Sequence, residues 1–250
     1  MNGSERIGLT TIAIHIANLH NVVPTVILPE KDEKIDIEKG VIGVDIMRRL
    51  YDETRTKSDN ERIIIIDYAE RMTIQSQNAF LKLLEEPGDN VYFILVSHSI
   101  TKLLPTIVSR TENLDIKPIT LEQSNLLMNS LKLSDDKMRS QILYIAVGLP
   151  AEITQLVLDK DYFKMRSDKM RDARELLSAN LYQKLLIAQK YKDNRKQALS
   201  LLIDASNILK KSLVANPQPE TIKHIDKLLK TYQRIEANGN IRQCIAQMVF

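Results

Sequence analysis

The stretch that decides the fold runs from residue 63 to residue 72 and reads Ile-Ile-Ile-Ile-Asp-Tyr-Ala-Glu-Arg-Met. Four branched apolar residues in a row suit a central strand of a parallel sheet that is covered on both faces. The sequence that follows, which includes Gln-Asn-Ala-Phe-Leu-Lys-Leu-Leu-Glu-Glu-Pro at 77–87, predicts a helix over residues 73–86. Pro87 ends this helix, because proline cannot continue a helix without losing a hydrogen bond.

An acid stands at the end of the predicted strand. Function in parallel sheets collects at the carboxyl ends of the strands, so Asp67 occupies the position of a metal or phosphate contact. The pattern is typical of the magnesium-binding edge of a nucleotide-hydrolysing core. The next residue is Tyr68. The carboxylate that would activate a hydrolytic water is therefore absent from this position.

Strands alternate with helices up to about residue 118. A helix is predicted over residues 10–20, with apolar residues at helical spacing, and another over 43–56. Strands are predicted at Thr25 to Leu28 and at Tyr92 to Val96. This alternation favours an α/β fold with right-handed crossovers and a parallel sheet.

The strand signal stops at about residue 120. Only helical patterns follow, and they are predicted at residues 121–131, 136–146, 150–158, 168–191, 195–214 and 218–234. The sequence therefore predicts three parts: an α/β domain over 1–118, a small helical lid over 119–160 and an all-helical domain over 161–250.

The N-terminal segment Gly3-Ser4-Glu5-Arg6-Ile7-Gly8-Leu9-Thr10 has the spacing of a phosphate-binding loop. In such loops the glycines let backbone N–H groups approach phosphates, and a lysine neutralises the outer phosphates. Leu9 stands at the lysine position, and a desolvated polyphosphate without a counter-charge is costly. Two interpretations stay open: a relic loop that keeps a turn and a helix N-terminus, or a mobile tail ahead of a helix. The strand that normally precedes the loop is expected to be missing, unless the true start lies upstream.

Composition excludes several classes of protein. Of the 250 residues, 44% are hydrophobic, which is enough for a substantial core. No apolar run approaches the roughly 20 residues that span a bilayer, so we expect a cytoplasmic protein without membrane contact. The one cysteine, Cys244, can form neither an internal disulfide nor a thiolate zinc cluster, and no metal site is expected.

Charge is unevenly distributed. The overall net charge is +3, and residues 160–250 contain 18 Lys/Arg against 9 Asp/Glu, which is +9 and leaves −6 for residues 1–159. The basic part could favour an acidic partner or nucleic acid, or it could simply be a lysine-rich helical surface that keeps the protein soluble.

Three segments together resemble a known family. They are 67–72, 77–87 and the run 103–110, Leu-Leu-Pro-Thr-Ile-Val-Ser-Arg. On these segments the chain resembles the bacterial DNA polymerase III clamp-loader subunits of the AAA+ class, and within that class it is most similar to the delta-prime subunits. The resemblance implies an AAA+ ATPase-like domain, a helical lid and a C-terminal helical collar that serves oligomerisation.

The resemblance also implies an inactive nucleotide site. Hydrolysing members have a lysine at Leu9, a glutamate at Tyr68, and a lid arginine at the position that matches Glu152 in Gly148-Leu149-Pro150-Ala151-Glu152. Phosphoryl transfer depends on positioning and charge stabilisation, so losing all three should abolish turnover. We therefore expect no cofactor of its own: Gly3, Gly8, Leu9 and Thr10 form a degenerate loop, Asp67 and Tyr68 a degenerate strand motif, and partner subunits bind ATP and magnesium.

Arg110 is the one site residue that the resemblance favours. The family's Ser-Arg-Cys motif places an arginine at the subunit edge, where it reaches a neighbour's ATP in trans, and this chain has Ser109-Arg110-Thr111. Such an arginine finger is worth about 10³ to 10⁵ in rate. Outside this context Arg110 would be an ordinary surface arginine. Ser97, His98 and Ser99 match a sensor of the gamma-phosphate in the family, although a capping or core role is expected for them here.

These expectations describe a delta-prime-like, non-hydrolysing subunit in a hetero-oligomeric ring that loads the sliding clamp on primed DNA. Two alternatives remain: an active AAA+ motor subunit, which Leu9 and Tyr68 oppose, and a non-enzymatic DNA-binding scaffold that uses the basic helices.

Overall fold

The computed structural model describes residues 1–3, 6–37, 39–55 and 60–248. It divides into two compact units. The first comprises Met1–Arg139 with Ala146–Thr154, and the second comprises Ser140–Ile145 with Gln155–Phe250. The finer division into three parts at about residues 118 and 160 stays a prediction.

A parallel sheet forms the centre of the first unit. Its strands are β1 (Asn2–Gly3), β2 (Thr25–Ile27), β5 (Arg62–Ile66), β6 (Val91–Leu95) and β7 (Asp115–Ile116). Strand β5 lies between β2 and β6, and β1 pairs with β7. A parallel bridge between Asn2 and Ser97 joins the two groups, so the order across the sheet is β2, β5, β6, β1, β7. An antiparallel hairpin of β3 (Glu30–Lys31) and β4 (Lys34–Ile35) follows β2 and was not predicted.

The expectation that the first strand is missing is wrong. The backbone N–H of Asn2 donates to the carbonyl of Leu114, and the N–H of Ser97 donates to the carbonyl of Met1. These bonds place the first residues inside the sheet, between β6 and β7. The sequence could not show this strand, because two residues are too few for an alternating apolar pattern.

The central strand β5 is buried on both faces, as its composition predicted. Ile63 and Ile65 pack in one apolar cluster with Ile7 and Val96. The alternate pair 64 and 66, both isoleucine, packs in a second cluster on the opposite face. Successive side chains of a strand point to opposite faces, so an unbroken apolar run supplies both layers.

Helices cover the sheet and continue beyond it. They are α1 (Leu9–Leu19), α2 (Val44–Thr54), α3 (Ile74–Glu85), α4 (Pro105–Val108), α5 (Leu121–Ser130), α6 (Asp136–Ala146) and α7 (Pro150–Leu158). The helices predicted from apolar spacing are confirmed within one or two residues at each end. Thr73 caps α3, because its hydroxyl accepts the N–H of Ser76 at 3.1 Å.

Helices make up the regular structure described in the second unit. They are α8 (Lys160–Ser178), α9 (Leu181–Tyr191), α10 (Arg195–Ala215), α11 (Pro219–Glu236) and α12 (Ile241–Ala246). The prediction of a single helix over 168–191 is wrong, because α8 ends at Ser178 and α9 begins at Leu181. Asn180 begins α9 with a reciprocal capping box, in which each of Asn180 and Gln183 accepts the other's backbone N–H at 3.0 Å.

An apolar core and a buried ion pair hold the second unit together. The core gathers side chains from α8 to α12, including Leu176, Leu201 and Ile235. Arg166 on α8 makes two hydrogen bonds to Asp204 on α10, at 2.7 and 3.2 Å, and both side chains are buried. No helix in the described ranges is both long enough and apolar enough to cross a membrane.

Candidate functional site

The degenerate loop leads into α1 beside the carboxyl end of β5. Gly8 has φ +90° and precedes the first residue of α1. That conformation belongs to the left-handed region, which glycine adopts without the strain that a Cβ would add. Of the eight loop positions, Ser4 and Glu5 lie outside the described residues.

Leu9 points into the apolar core. Its side chain is 2% exposed and packs in the cluster that contains Ala13, Ile63 and Val96. A lysine in a phosphate loop must present its ammonium group to the nucleotide. At this position the chain has an apolar side chain that is buried in the core. The backbone turn at Gly8 therefore remains, but a packed leucine takes the place of the cation.

Thr10 and Asp67 meet at the position of a metal contact. The Thr10 hydroxyl donates to Oδ2 of Asp67 at 2.8 Å, and the Tyr68 N–H donates to Oδ1 at 2.9 Å. Asp67 is 3% exposed. Burial raises the pKa of its carboxyl above the ordinary value, and the bonds from Thr10 and Tyr68 act in the opposite direction. The carboxylate is therefore engaged by protein donors on both oxygens.

Tyr68 adopts an uncommon backbone conformation directly after β5. Its φ and ψ are 53° and 47°, in the left-handed region. The ring packs edge to face against His98, with 5.5 Å between ring centroids. The backbone N–H of His98 in turn donates to Glu70 at 3.2 Å. An aromatic pair thus stands where a hydrolytic site needs a carboxylate and a water.

Ser97 lies in the interior beside the same strand end. It is buried, and its hydroxyl accepts the backbone N–H of Ser99 at 3.1 Å. A hydrogen bond between residues two apart in the chain is typical of a local turn.

Glu152, near the start of α7, connects this helix to the loop. Its Oε1 accepts a hydrogen bond from Nη1 of Arg6 at 2.7 Å, and its backbone N–H donates to the Arg6 carbonyl at 3.3 Å. At the turn before α7, Gly148 has φ +82°, and a Cβ there would lie 2.8 Å from a Pro118 carbon. An anion on α7 thus pairs with a cation on the loop, where the resemblance led us to expect an arginine that contacts phosphate.

Metal binding has little support at this edge. In the parts of the chain that the structure describes, no group of three or more His, Cys, Asp or Glu residues could hold a metal ion. Asp67 with the Thr10 hydroxyl supplies two oxygen atoms, and magnesium usually takes six ligands, several of them water or phosphate.

Arg110 lies on the surface in the turn after α4. Its Nη2 is 2.9 Å from Oε1 of Glu85 at the end of α3, and its Nη1 donates to the Thr106 carbonyl at 3.2 Å. The side chain is 42% exposed, so a partner could reach the guanidinium. Glu85 was expected only to lie at the end of a helix, and nothing in residues 103–110 predicts this ion pair.

The sequence did not predict the pairing of Arg6 with Glu152. Arg6 had no assigned role within the loop, and Glu152 only marked a position where an arginine is expected. Opposite charges at the two motifs were a signal that could have paired them, but residues this far apart in the chain can be paired only once the fold is known.

Several known proteins of DNA replication are similar to this chain. Residues 14–120 match the family model described as DNA polymerase III, delta subunit. The delta' subunit of DNA polymerase III from Haemophilus influenzae is 36% identical over 86 residues, which are 34% of this chain and 26% of that protein. The chain is similar to the clamp-loader subunits of bacterial DNA polymerase III. The matched segment spans about a quarter of the length of that relative.

Two further relatives extend over more of the chain. The replication factor C small subunit of Methanococcus maripaludis is 27% identical over 234 residues, which cover 81% of this chain and 68% of that protein. A DNA polymerase III gamma subunit-related protein from Thermotoga maritima has a similar structure, with a TM-score of 0.53 at 20% identity over 99% of this chain and 90% of that one. The fold of the clamp-loader-like chain is therefore an AAA+ core followed by helices.

Proposed function

We propose that this protein is a delta-prime-like clamp-loader subunit that does not hydrolyse ATP itself. It would occupy a place in a hetero-oligomeric ring, together with subunits that bind ATP and magnesium. The ring would load the sliding clamp on primed DNA. The match of residues 14–120 to the family model and the similarity to delta' subunits support this role.

The observation that carries the proposal is the burial of Leu9. The position that should supply the loop cation is 2% exposed and contributes to the core instead. No rotation of a leucine can supply a charge, and the cost of desolvating a polyphosphate stays uncompensated. Tyr68 and Glu152 act in the same direction, since the first replaces a carboxylate and the second replaces a cation.

The positive part of the proposal concerns Arg110. Its exposure and its place in the Ser-Arg-Thr sequence after α4 support a role as an arginine finger for a neighbour's ATP. The ion pair with Glu85 is exposed on both sides, and such pairs contribute at most about 1 kcal/mol. Arg110 could therefore leave Glu85 for a phosphate at little cost.

The first experiment measures ATP hydrolysis and nucleotide binding by the purified chain alone. We expect neither above the background of a sample without protein. Turnover that scales with the protein concentration and survives further purification would contradict the inactive site.

The second experiment replaces Arg110 in a reconstituted loader. Arg110→Ala should lower the ATPase rate of the assembly by up to about 10³, because the transition-state charge loses a planar donor. Arg48→Ala is the matched control, since Arg48 is an exposed arginine of the same unit that pairs with Asp45 at 3.5 Å. Equal rates in the two variants would remove the finger from the mechanism.

An active motor subunit is the second candidate. Structural similarity to the gamma subunit-related protein over 99% of this chain shows the shared fold, and it is the observation that keeps this candidate open. The assay on the chain alone separates the two, because a motor subunit hydrolyses ATP. A non-enzymatic scaffold would instead fail to bind other loader subunits in a pulldown.

A further inference from the structure

Four cationic side chains form a line along α11 in the second unit. We call Lys223, Lys227, Lys230 and Arg234 the basic row. They are spaced by four, three and four residues, and all four are exposed. At about 100° per residue they fall within an arc of about 60°, and at about 1.5 Å rise per residue they extend over about 16 Å.

Packing of α11 fixes which way the basic row faces. The helix buries Thr221, Leu228, Thr231 and Ile235. The centre of this buried set lies about 115° around the helical wheel from the centre of the basic row. The packing of α11 therefore leaves the basic row on a separate, exposed face of the helix.

Acidic residues lie beside the basic row and not within it. Asp226 pairs with Lys230 at 2.7 Å, and Lys230 and Asp226 are 65% and 57% exposed. An exposed pair of this kind is worth a few tenths of a kcal/mol on a helix, so a phosphate could replace the carboxylate. Glu220 stands near the start of the helix on the other flank.

A fifth cation adds positive potential behind the row. Lys184 of α9 is buried and donates to the carbonyl of Met248 at 2.8 Å. Burial lowers the pKa of Lys184, and the positive charge of Lys227 lowers it further. Lys184 and Lys227 are thus two cations that repel each other within the second unit.

We propose that the basic row binds the phosphate backbone of DNA without reading its sequence. Cations in a line, about 4.5 to 6 Å apart along the axis, suit a linear polyanion better than a compact anion, which needs donors that converge on one point. Duplex DNA presents one negative charge per about 1.7 Å of its axis, and Lys or Arg contacts to phosphate supply most non-specific affinity. This inference is independent of the proposed function, since it uses neither the loop nor Arg110.

The test measures binding of the full chain to a labelled 20-base-pair duplex of arbitrary sequence between 50 and 200 mM salt. The triple variant K223Q/K230Q/R234Q should bind about tenfold or more weakly at the lowest salt, and the slope of log affinity against log salt should flatten by about three. The control K164Q/K192Q/K210Q removes three exposed lysines from elsewhere in the same unit, on α8, in the turn after α9 and on α10, and should bind nearly as the parent does.

Several outcomes would overturn the proposal. They are undetectable binding by the parent at 50 mM salt, equal weakening by the triple variant and its control, and a strong preference between two unrelated duplex sequences. Displacement of DNA by polyglutamate at an equal concentration of charges would assign the row to an acidic polypeptide instead. If circular dichroism shows that the triple variant is unfolded, K223Q alone should flatten the slope by about one.

Discussion

Arg6 and Glu152 join the degenerate loop to helix α7 through a charged hydrogen bond of 2.7 Å. The carboxylate of Glu152 is 1% exposed, whereas the Arg6 side chain is 41% exposed. The chain's own charges therefore hold the described part of the loop at Arg6 against the start of α7.

Removal of Arg6 should destabilise the first unit. Arg6→Ala takes a charged donor from a buried carboxylate, and we expect the free energy of unfolding to fall by about 2 kcal/mol. Glu152→Gln should cost less, because Arg6 can turn to solvent. Urea unfolding at pH 7 measures both, and Arg171→Ala, which removes one partner of an exposed pair with Asp168, is the control. A loss no greater than that of Arg171→Ala would mean that the pair contributes little.

Restoring the loop lysine should not restore nucleotide binding. Leu9→Lys would bury an ammonium group in an apolar cluster, and we expect it to lower the free energy of unfolding by about 3 kcal/mol or more. Leu9→Met conserves volume and should cost less than about 1.5 kcal/mol. Chemical unfolding and titration with a fluorescent ATP analogue measure the two effects. A stable Leu9→Lys protein that binds the analogue would contradict the claim that packing has replaced the cation.

The sequence was sufficient for the three strands β2, β5 and β6 and for most helices. An apolar run such as Ile63 to Ile66 permits few alternatives, since it must be covered on both faces. Apolar spacing likewise predicted α6 and α7 with the bounds that the structure has. These features are local, so the residues that specify them are neighbours in the chain.

What the sequence could not predict depends on contacts between distant segments or on caps. Strand β1 exists because Asn2 finds partners near residues 97 and 115, and α12 was missed because six residues give a weak pattern. Asn180 and Gln183 have the spacing of a capping box, which indicates a helix start at this point. The apolar pattern continues across Asn180, however, and therefore predicted one continuous helix. The pairs Arg6 with Glu152 and Arg110 with Glu85 require the fold itself.

Stability should depend on pH through Asp67. The carboxyl titrates near 3.8 in the unfolded chain, and burial raises its pKa in the folded protein. Between these two pKa values the folded state binds more protons than the unfolded state. The stabilisation that comes from a protonated Asp67 is therefore complete below pH 3.8 and is lost as the pH rises through the folded pKa. Asp67→Asn removes the titration. Relative to the parent it should be more stable at pH 7, and that advantage should shrink as the pH falls toward 4.

The measurement for Asp67 is urea unfolding of parent and variant at several pH values between 7 and 4. Asp115→Asn removes an exposed acid from the same unit and is the control for net charge. The difference between parent and Asp67→Asn is the relevant quantity, because other groups also titrate in this range. A difference that grows on acidification would have the wrong sign and would show that the hydrogen bonds from Thr10 and Tyr68 outweigh burial.

The second unit should depend strongly on the ion pair of Arg166 and Asp204. Both side chains are buried and joined by two hydrogen bonds, so Asp204→Ala leaves a buried guanidinium without this carboxylate. We expect the free energy of unfolding to fall by about 3 to 5 kcal/mol. Asp168→Ala on the exposed surface of α8 is the control and should cost less than about 1 kcal/mol.

A double variant separates charge from packing at the same position. Arg166→Met with Asp204→Leu removes both charges and keeps apolar volume, so it should be far more stable than Asp204→Ala and close to the parent. Chemical unfolding followed by helical circular dichroism measures all four proteins. If the double variant is as unstable as Asp204→Ala, removing the unpaired charge of Arg166 has restored none of the lost free energy of unfolding. The two hydrogen bonds would then contribute a large net stabilisation of their own.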